Sequence, residues 1–240
     1  MLTRAAIETV DTAYPLLLAY RNKFPLTMLT RDEVLSDPSH AKRIVRESLV
    51  ACSPELDQEH NEDVTGLLFQ SPEHNDGLFL VDEKTQALVA SIAVHFDHPQ
   101  ATSEVLRLCV EPAWRNRGIG VMLLAYFLAI LEQSEAFIRN RGFVELVAVQ
   151  DAMPLYKRLG FRTSPDLSAA EATEIEQRSE LDISYPMSMV LFTKPRFFER
   201  HVLPKVRVLL YTATPPTRRR RVTLPHPSKS KRKFQSSRTI

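Results

Sequence analysis

A short basic turn containing two glycines leads directly into a segment that is apolar on nearly all sides, and this arrangement constrains the fold most. The turn is Arg115–Gly120, and the apolar run Val121–Leu131 follows it. A helix that is apolar all round has to be buried, which suits packing across a β-sheet. Strand-like runs lie on either side, at Glu104–Val110 and Phe143–Val149. The sequence therefore predicts a mixed α/β unit in which the turn joins a strand to a buried helix.

The turn itself has the composition of a phosphate-binding site. The first amides of a helix lack intrahelical partners, and the positive end of the helix dipole lies behind them. Gly118 and Gly120 carry no side chain to obstruct a phosphate, while Arg115 and Arg117 can add charge-assisted hydrogen bonds. A plain strand-to-helix turn with glycines for packing is the alternative, and residue chemistry alone leaves both open. The chain lacks GxxxxGK[ST] and GxGxxG motifs, which excludes a P-loop NTPase and a dinucleotide-binding fold.

Two segments resemble the signature motifs of the GNAT acetyltransferases. The first, VEPAWRNRGIG at 110–120, resembles (Q/R)xxGx(G/A) preceded by a V-x-P strand end. The second, DAMPLYKRLGF at 151–161, resembles A-x-x-L-Y-x-x-x-G-F, and the intervening chain is long enough for one helix, a connection and one strand. The resemblance implies an α/β (α+β) fold with a mixed, mostly antiparallel central sheet, splayed strands and flanking helices.

The same resemblance implies acetyl-coenzyme A as the cosubstrate. The pantetheine arm would meet backbone groups of Cys109 and Val110, where the strands carrying Val110 and Val149 splay apart, and the turn would hold the pyrophosphate. Many relatives carry an asparagine where this chain has Val149, so that contact is either missing or supplied by Asp151. The expected cofactor-binding residues are Cys109, Val110, Arg115, Asn116, Arg117, Gly118, Ile119, Gly120 and Asp151. No spacing of His and Cys indicates a metal site.

Amine acetylation needs a base for the charged amine and an acid for the leaving thiolate. Glu104 is the first candidate base, because the general-base glutamate of histone-acetylating relatives lies at the same offset before the turn. Glu111 and His95 are further candidates. Tyr156 is the candidate acid, a role that this tyrosine has in many relatives. Each residue also has a purely structural interpretation, as a solvated or buried side chain.

A weaker resemblance links the chain to the arylalkylamine N-acetyltransferase branch. The residues Cys52–Glu55 (CSPE) are similar to a C-P-E element of that branch, and Gln150–Phe161 is similar to a second segment of it. That branch uses a histidine pair at positions filled here by Glu104 and Leu106, so its substrate class and its proton relay are both in doubt for this chain.

Charge divides the chain into two parts. Residues 195–240 hold thirteen Lys and Arg against one acid, a net +12, and residues 1–194 are therefore at −10. We expect an acetyltransferase domain over 1–194, and over 195–240 a basic, proline-rich tail that is mostly disordered, in which Lys205–Tyr211 could form a short element. The acidic body favours a cationic substrate. The clusters Arg218–Arg221 and Lys229–Lys233 resemble a nuclear-localisation signal or a nucleic-acid tether.

The sequence also carries expectations about compartment. Two cysteines are too few for a disulfide framework, so free thiols in a reducing compartment are the default. We expect a cytoplasmic protein without a membrane segment, with nuclear import through an importin as a further option.

Several functions are open at this stage. The first is an acetyl-CoA-dependent N-acetyltransferase that acts on a primary amine: a small aryl- or alkylamine, a polyamine or a protein lysine. The alternative is a non-catalytic CoA-fold protein that acts through its basic tail on nucleic acid or a protein partner. An acyl donor other than acetyl is a third option.

Overall fold

A computed structural model describes residues 2–38, 43–44, 73–97, 102–134, 143–149, 152–163, 184–190 and 196–213. Within these ranges no helix is long and apolar enough to cross a membrane. Apolar spacing predicts a helix over Ala41–Ala51, and a Glu-rich connection is expected over Ser168–Ser179. Both segments, and Asp151, lie wholly or mostly outside the described residues.

A seven-stranded sheet forms the centre of the described structure. The strands are β1 (Leu26–Thr30), β2 (Asn75–Asp82), β3 (Leu88–Asp97), β4 (Thr102–Val110), β5 (Phe143–Val149), β6 (Arg162–Thr163) and β7 (Ser184–Val190). Their order is β1-β2-β3-β4-β5-β7-β6. The β4–β5 pair is parallel and the other described pairs are antiparallel. The predicted mixed, mostly antiparallel sheet is confirmed.

The helices are α1 (Arg4–Ala13), α2 (Pro15–Arg21), α3 (Arg31–Leu35), α4 (Ile119–Gln133), α5 (Met153–Leu159) and α6 (Leu203–Thr212). A turn of 3-10 helix, Pro112–Trp114, precedes α4, and a turn of π-helix, Phe198–Val202, precedes α6. Helix α4 is the predicted apolar helix, and it is buried along nearly all of its length. Helices α1 and α2 and strands β3 and β4 pack around it.

The β2–β3 hairpin and the end of α5 follow from local sequence chemistry. Asp82 closes the hairpin, because its Oδ1 accepts hydrogen bonds from the amides of Lys84 and Thr85 at 3.0 and 2.8 Å. Gly160 ends α5 at φ 111°, the left-handed conformation expected there. Asp151 precedes α5 and is of a residue type that favours the N-cap, but the N-cap is Ala152, which makes no side-chain cap.

Apolar residues at helical spacing predict one helix over Ile7–Tyr20, but the structure has two, α1 and α2. Tyr14 separates them at φ −129° and ψ 73°, and Pro15 begins α2 at a position where its missing N–H has no role. Proline in a helix interior removes a backbone hydrogen bond and clashes with the preceding turn, so the apolar spacing continues but the helix does not.

The body extends past the expected boundary at residue 194. The π-turn and α6 bury Phe198, Val202, Val206 and Leu210 in the core that contains α4. The amide of Phe198 donates to Glu132 Oε1 at 2.6 Å, and its ring meets Tyr14 edge-on at 5.0 Å. The interpretation of this part of the tail as disordered is therefore wrong at least up to residue 213.

We expect Phe198→Ala to destabilise the protein strongly. Truncating a fully buried phenylalanine costs about 3–5 kcal/mol, which for a chain of this size lowers Tm by roughly 6–20 °C. Thermal unfolding of the full-length variant measures this decrease in Tm. Phe197→Ala, at a half-buried neighbour, is the matched control with a smaller expected shift. An unchanged Tm for Phe198→Ala would show that the segment does not belong to the core.

Candidate functional site

A cavity of about 880 Å³ lies where β4, the basic turn, α5 and the end of α6 meet. It combines the two sequence motifs, because residues from both line one space. The lining residues are Leu108, Cys109, Val110, Trp114, Arg115, Asn116, Gly118, Ile119, Gly120, Val121, Ala152, Leu155, Tyr156, Leu209, Thr212 and Ala213.

The turn has a backbone that few residues can adopt. Asn116 and Gly118 both have positive φ, 60° and 70°, and Gly118 is the N-cap of α4. Asparagine tolerates this region better than other non-glycine residues, and glycine has no cost there. The hydroxyl of Tyr20, from α2, donates to the carbonyl of Arg117 at 2.5 Å and fixes the turn against the N-terminal helices. The open amides of α4 therefore have a fixed direction.

The two arginines are anchored to the turn that they belong to. Arg115 Nε donates to the carbonyl of Val110 at 3.0 Å, and an Arg117 terminal nitrogen donates to the carbonyl of Ala113 at 2.9 Å. The Arg117 guanidinium also lies over the Trp114 ring, 4.9 Å from its centroid. A guanidinium has five N–H donors, so these contacts position the charge without exhausting it. Arg115 lines the cavity, whereas Arg117 does not.

Strands β4 and β5 separate before the C-terminal end of β4, as the resemblance implied. Pairing of β4 with β5 runs from Thr102 opposite Phe143 to Val105 opposite Leu146. The next residue, Leu106, is an unpaired bulge in the β3–β4 ladder, after which β4 continues to Val110. Beyond this point the backbone of β4 faces the cavity instead of β5. The splay is therefore located at Leu106.

Cys109 lies on the splayed part of β4 and lines the cavity. It is disulfide-bonded, so the expectation of a free thiol is wrong for this residue. Cys52, the other cysteine of the chain, lies outside the described residues.

Tyr156 projects from α5 into the same cavity and is 8% exposed. Its ring packs edge-on against Phe161 at 5.7 Å. Desolvation by burial raises the pKa of Tyr156 to about 12, because the charged phenolate is disfavoured away from water. The phenol therefore keeps its proton over the whole physiological range.

Glu104 lies one residue before the last paired position of β4. It is half-buried and stands opposite His95 of β3 and Glu145 of β5 in the register. Glu104 does not line the cavity, so the structure brings Tyr156 into the cavity and leaves Glu104 beside the splay.

The two other candidate bases have different surroundings. His95 Nδ1 lies 2.8 Å from Asn75 Oδ1. An amide oxygen accepts hydrogen bonds, so His95 donates to Asn75 when its Nδ1 carries a proton. Glu111 follows β4 directly, and its Oε2 is buried without a hydrogen-bond partner among the described residues. Neither residue lines the cavity.

Sequence reasoning missed the residues that come to the cavity from both ends of the chain. Leu209, Thr212 and Ala213 line it from α6, and Tyr20 fixes its turn. The apolar residues at 198, 202, 206 and 210 recur at a helical spacing, which was a signal that the high proline and charge content of the tail obscured. Within the described part of the chain, no group of three or more His, Cys, Asp or Glu is placed to hold a metal ion.

We expect Gly118→Ala to lower both stability and cosubstrate binding. Alanine at a left-handed position costs about 1–2 kcal/mol, and its Cβ would lie 2.6 Å from Tyr20 Oη and 3.0 Å from Leu210 Cδ2. Thermal unfolding and acetyl-CoA titration measure the two effects. Gly120→Ala, whose backbone φ is ordinary, should lower Tm less. Equal Tm values for the two variants would contradict the conformational argument.

The comparisons with known proteins agree with this geometry. Residues 75–163 match a family model described as an acetyltransferase (GNAT) domain. No curated protein matches the chain. Among solved structures, GCN5 from Tetrahymena is 18% identical, covers 68% of this chain and 93% of its own, and has a TM-score of 0.48. A GNAT-family acetyltransferase from Staphylococcus aureus Mu50 is 15% identical, with 68% and 97% covered and a TM-score of 0.48.

A third solved structure is the PaiA N-acetyltransferase from Thermoplasma acidophilum in complex with coenzyme A. It is 16% identical, covers 68% of this chain and 99% of its own, and has a TM-score of 0.45.

Proposed function

We propose that the chain is an N-acetyltransferase of the GNAT superfamily, and that it transfers the acetyl group of acetyl-CoA to a cationic primary amine by direct attack within a ternary complex. One observation carries the proposal. The turn Arg115–Gly120 opens the buried helix α4 and forms one wall of a cavity whose other wall holds Tyr156. A phosphate-binding element and a proton donor therefore share one space.

The cavity suits acetyl-CoA in its size and in its chemistry. Its volume of about 880 Å³ lies in the range of small-molecule sites. At one end, the amides of α4 and the charge of Arg115 and Arg117 favour a diphosphate. Along β4, Cys109 and Val110 line the cavity beyond the last residue paired with β5, where a pantetheine arm would lie. Each part of the cosubstrate thus meets a complementary group.

Tyr156 is proposed as the general acid. When the amine nitrogen attacks the thioester carbonyl, a carbon–nitrogen bond forms, and the carbon–sulfur bond breaks as the tetrahedral intermediate collapses. The departing thiolate takes a proton from the Tyr156 hydroxyl. A thiol has a pKa near 8.5, well below the value of about 12 for Tyr156. Proton transfer to the thiolate is therefore uphill on its own, and the Tyr156 phenolate has to regain a proton from solvent to complete the step.

Glu104 is proposed as the base that accepts a proton from the ammonium group, either directly or through a water molecule. Its position two residues before Leu106, where β4 and β5 separate, supports this role. An alkylamine of pKa about 10 is almost wholly charged at neutral pH, and only the neutral form attacks. Removing that proton is thus a required step.

The net negative charge of residues 1–194 supports a cationic acceptor. Residues 1–194 carry a net −10, and Glu104 and Glu145 occupy paired positions on one face of the sheet. Acidic surroundings steer cations towards the site and disfavour anions. A small aryl- or alkylamine, a polyamine and a protein lysine all meet this requirement. The basic clusters at 218–221 and 229–233 lie outside the described residues, and their nuclear-targeting role stays a prediction.

The test is release of CoA thiol by the full chain over a matched panel of acceptors. The panel pairs polyamines, arylalkylamines and a lysine-containing peptide with neutral hydroxyl analogues of the same size. We expect release with at least one cationic amine and none with its neutral analogue. Release that requires no amine, or no release with the whole panel, would contradict the proposal.

A further inference from the structure

A row of polar side chains crosses the sheet on the face turned away from α4. Asn75 of β2 stands opposite His95 of β3, and His95 stands opposite Glu104 of β4. Glu145 of β5 continues the row beside Glu104. Val94, the residue before His95, belongs to the core that contains α4. Because successive side chains of a strand point to opposite faces, His95 and its cross-strand neighbours lie on the other face.

Asn75 holds the imidazole of His95 in this row. Asn75 is 3% exposed, and its Oδ1 lies 2.8 Å from His95 Nδ1. When Nδ1 carries the proton and donates to this oxygen, the lone pair of the neutral ring is on Nε2. A ring that is held through one nitrogen keeps the other nitrogen free to accept a proton.

Glu104 is the direct cross-strand neighbour of this ring. Opposed residues of antiparallel strands have Cβ atoms about 4.5–5.5 Å apart on the same face. The contact between Asn75 and His95, which are also opposed, shows that side chains of this row reach one another. His95 and Glu104 are both half-buried. A proton on Glu104 can therefore move to His95 directly or through one water molecule.

A second histidine continues from this ring towards solvent. The ring centroids of His74 and His95 are 5.7 Å apart, and His74 Nδ1 lies 3.3 Å from the carbonyl oxygen of Phe96. His74 is exposed, whereas His95 is half-buried. Imidazole takes up and releases protons close to neutral pH, which suits it to passing a proton on. The path thus begins at Glu104 and reaches water at His74.

We propose that His95 is a proton-relay residue behind Glu104, and that it acts through Glu104 and not on the amine itself. The inference rests on the proposed function, in which Glu104 takes the ammonium proton and becomes a neutral carboxylic acid. That acid passes the proton to Nε2 of neutral His95, and the resulting imidazolium releases it to His74 or to solvent. Glu104 is then again a carboxylate, ready for the next amine.

Chemical rescue of the full-length His95→Ala variant tests the relay. A positioned base contributes about 10²–10⁴-fold, and a residue that acts behind it should contribute less, so we expect kcat to fall about tenfold with little change in KM. The acceptor is the amine with the highest thiol release. Added imidazole should restore kcat, because it can enter the vacated space and accept the proton. Pyrazole, a ring of the same size but a far weaker base, should not restore it.

Two further variants serve as controls. His201→Ala removes an exposed histidine from the π-turn, outside the sheet, and should leave kcat unchanged with and without imidazole. His95→Gln keeps a side chain that can contact Asn75 but that accepts no proton, and it should lose as much activity as His95→Ala. Thermal unfolding of each variant verifies that the fold persists.

A double-mutant cycle with Glu104→Gln shows through which group His95 acts. If His95 serves Glu104, its removal costs nothing once Glu104 can take no proton. The Glu104→Gln/His95→Ala variant should therefore be as slow as Glu104→Gln alone, which is the non-additivity expected of residues in one pathway.

The outcomes separate this inference from the proposed function. An unchanged kcat for His95→Ala, equal restoration by pyrazole and imidazole, or additive losses in the double variant would each overturn the relay, while acetyl transfer to the amine stands. If the natural protein acetylates no amine of the panel, the proposed function and the relay both fail.

Discussion

Glu104→Gln is expected to lower kcat/KM for the amine by about 10²–10⁴-fold at neutral pH, the usual contribution of a positioned base. Glutamine has nearly the same size but accepts no proton. The loss should shrink as the pH rises, because the neutral fraction of the amine increases about tenfold per pH unit below its pKa of about 10. A rate profile from pH 6 to pH 10, for the variant and for the natural protein, measures this convergence.

The control for this variant is Glu83→Gln, at an exposed position in the β2–β3 turn. It makes the same chemical change far from the splay and should leave the profile unchanged. If the pH dependence of kcat/KM for Glu104→Gln runs parallel to that of the natural protein, whatever its absolute value, Glu104 does not remove the ammonium proton. Glu111→Gln and His95→Gln would then be the next variants to measure.

Tyr156→Phe is expected to lower kcat by about 10²–10⁴-fold with little change in the KM for acetyl-CoA. The phenylalanine ring can keep the contact with Phe161, so Tm should change little. Because the pKa of Tyr156 is raised to about 12, the acid stays protonated at every pH below that value. The natural enzyme should therefore show no loss of kcat from this group between pH 6 and pH 10.

Tyr14→Phe is a close match for this experiment. The pKa of Tyr14 is also raised to about 12, first by desolvation and then by Glu132, but Tyr14 does not line the cavity. It should leave kcat unchanged. Equal effects of the two substitutions would indicate a structural effect rather than proton donation by Tyr156.

The sequence was sufficient for the parts of the fold that depend on local patterns. The buried helix α4, the strand β5 and the glycine that ends α5 follow from apolar spacing and turn chemistry. The division of the first helix at Pro15 also has a local cause, which the continuing apolar spacing concealed. Local patterns therefore predicted which elements exist better than where they end.

Long-range packing accounts for what the sequence did not reveal. Nothing in the chain near residue 210 indicates that Leu210 will meet Gly118, ninety residues earlier, or that Tyr20 will hold the turn. These contacts depend on how α2 and α6 pack against α4, which is a property of the assembled core. The phosphate-binding turn was predictable because its chemistry lies within six consecutive residues, whereas the surroundings of the turn were not.

Mass spectrometry of the acceptor tests the central claim most directly. The full chain is incubated with acetyl-CoA and the amine that gives the highest thiol release. The molecular masses of the acceptor and of the protein are then both determined. The account predicts an acceptor heavier by one acetyl group, in amounts equal to the free CoA formed, and no acetylated protein when the amine is omitted. Free CoA without acetylated acceptor, or a stable acetyl-protein intermediate formed without the amine, would contradict direct transfer within the cavity beside α4.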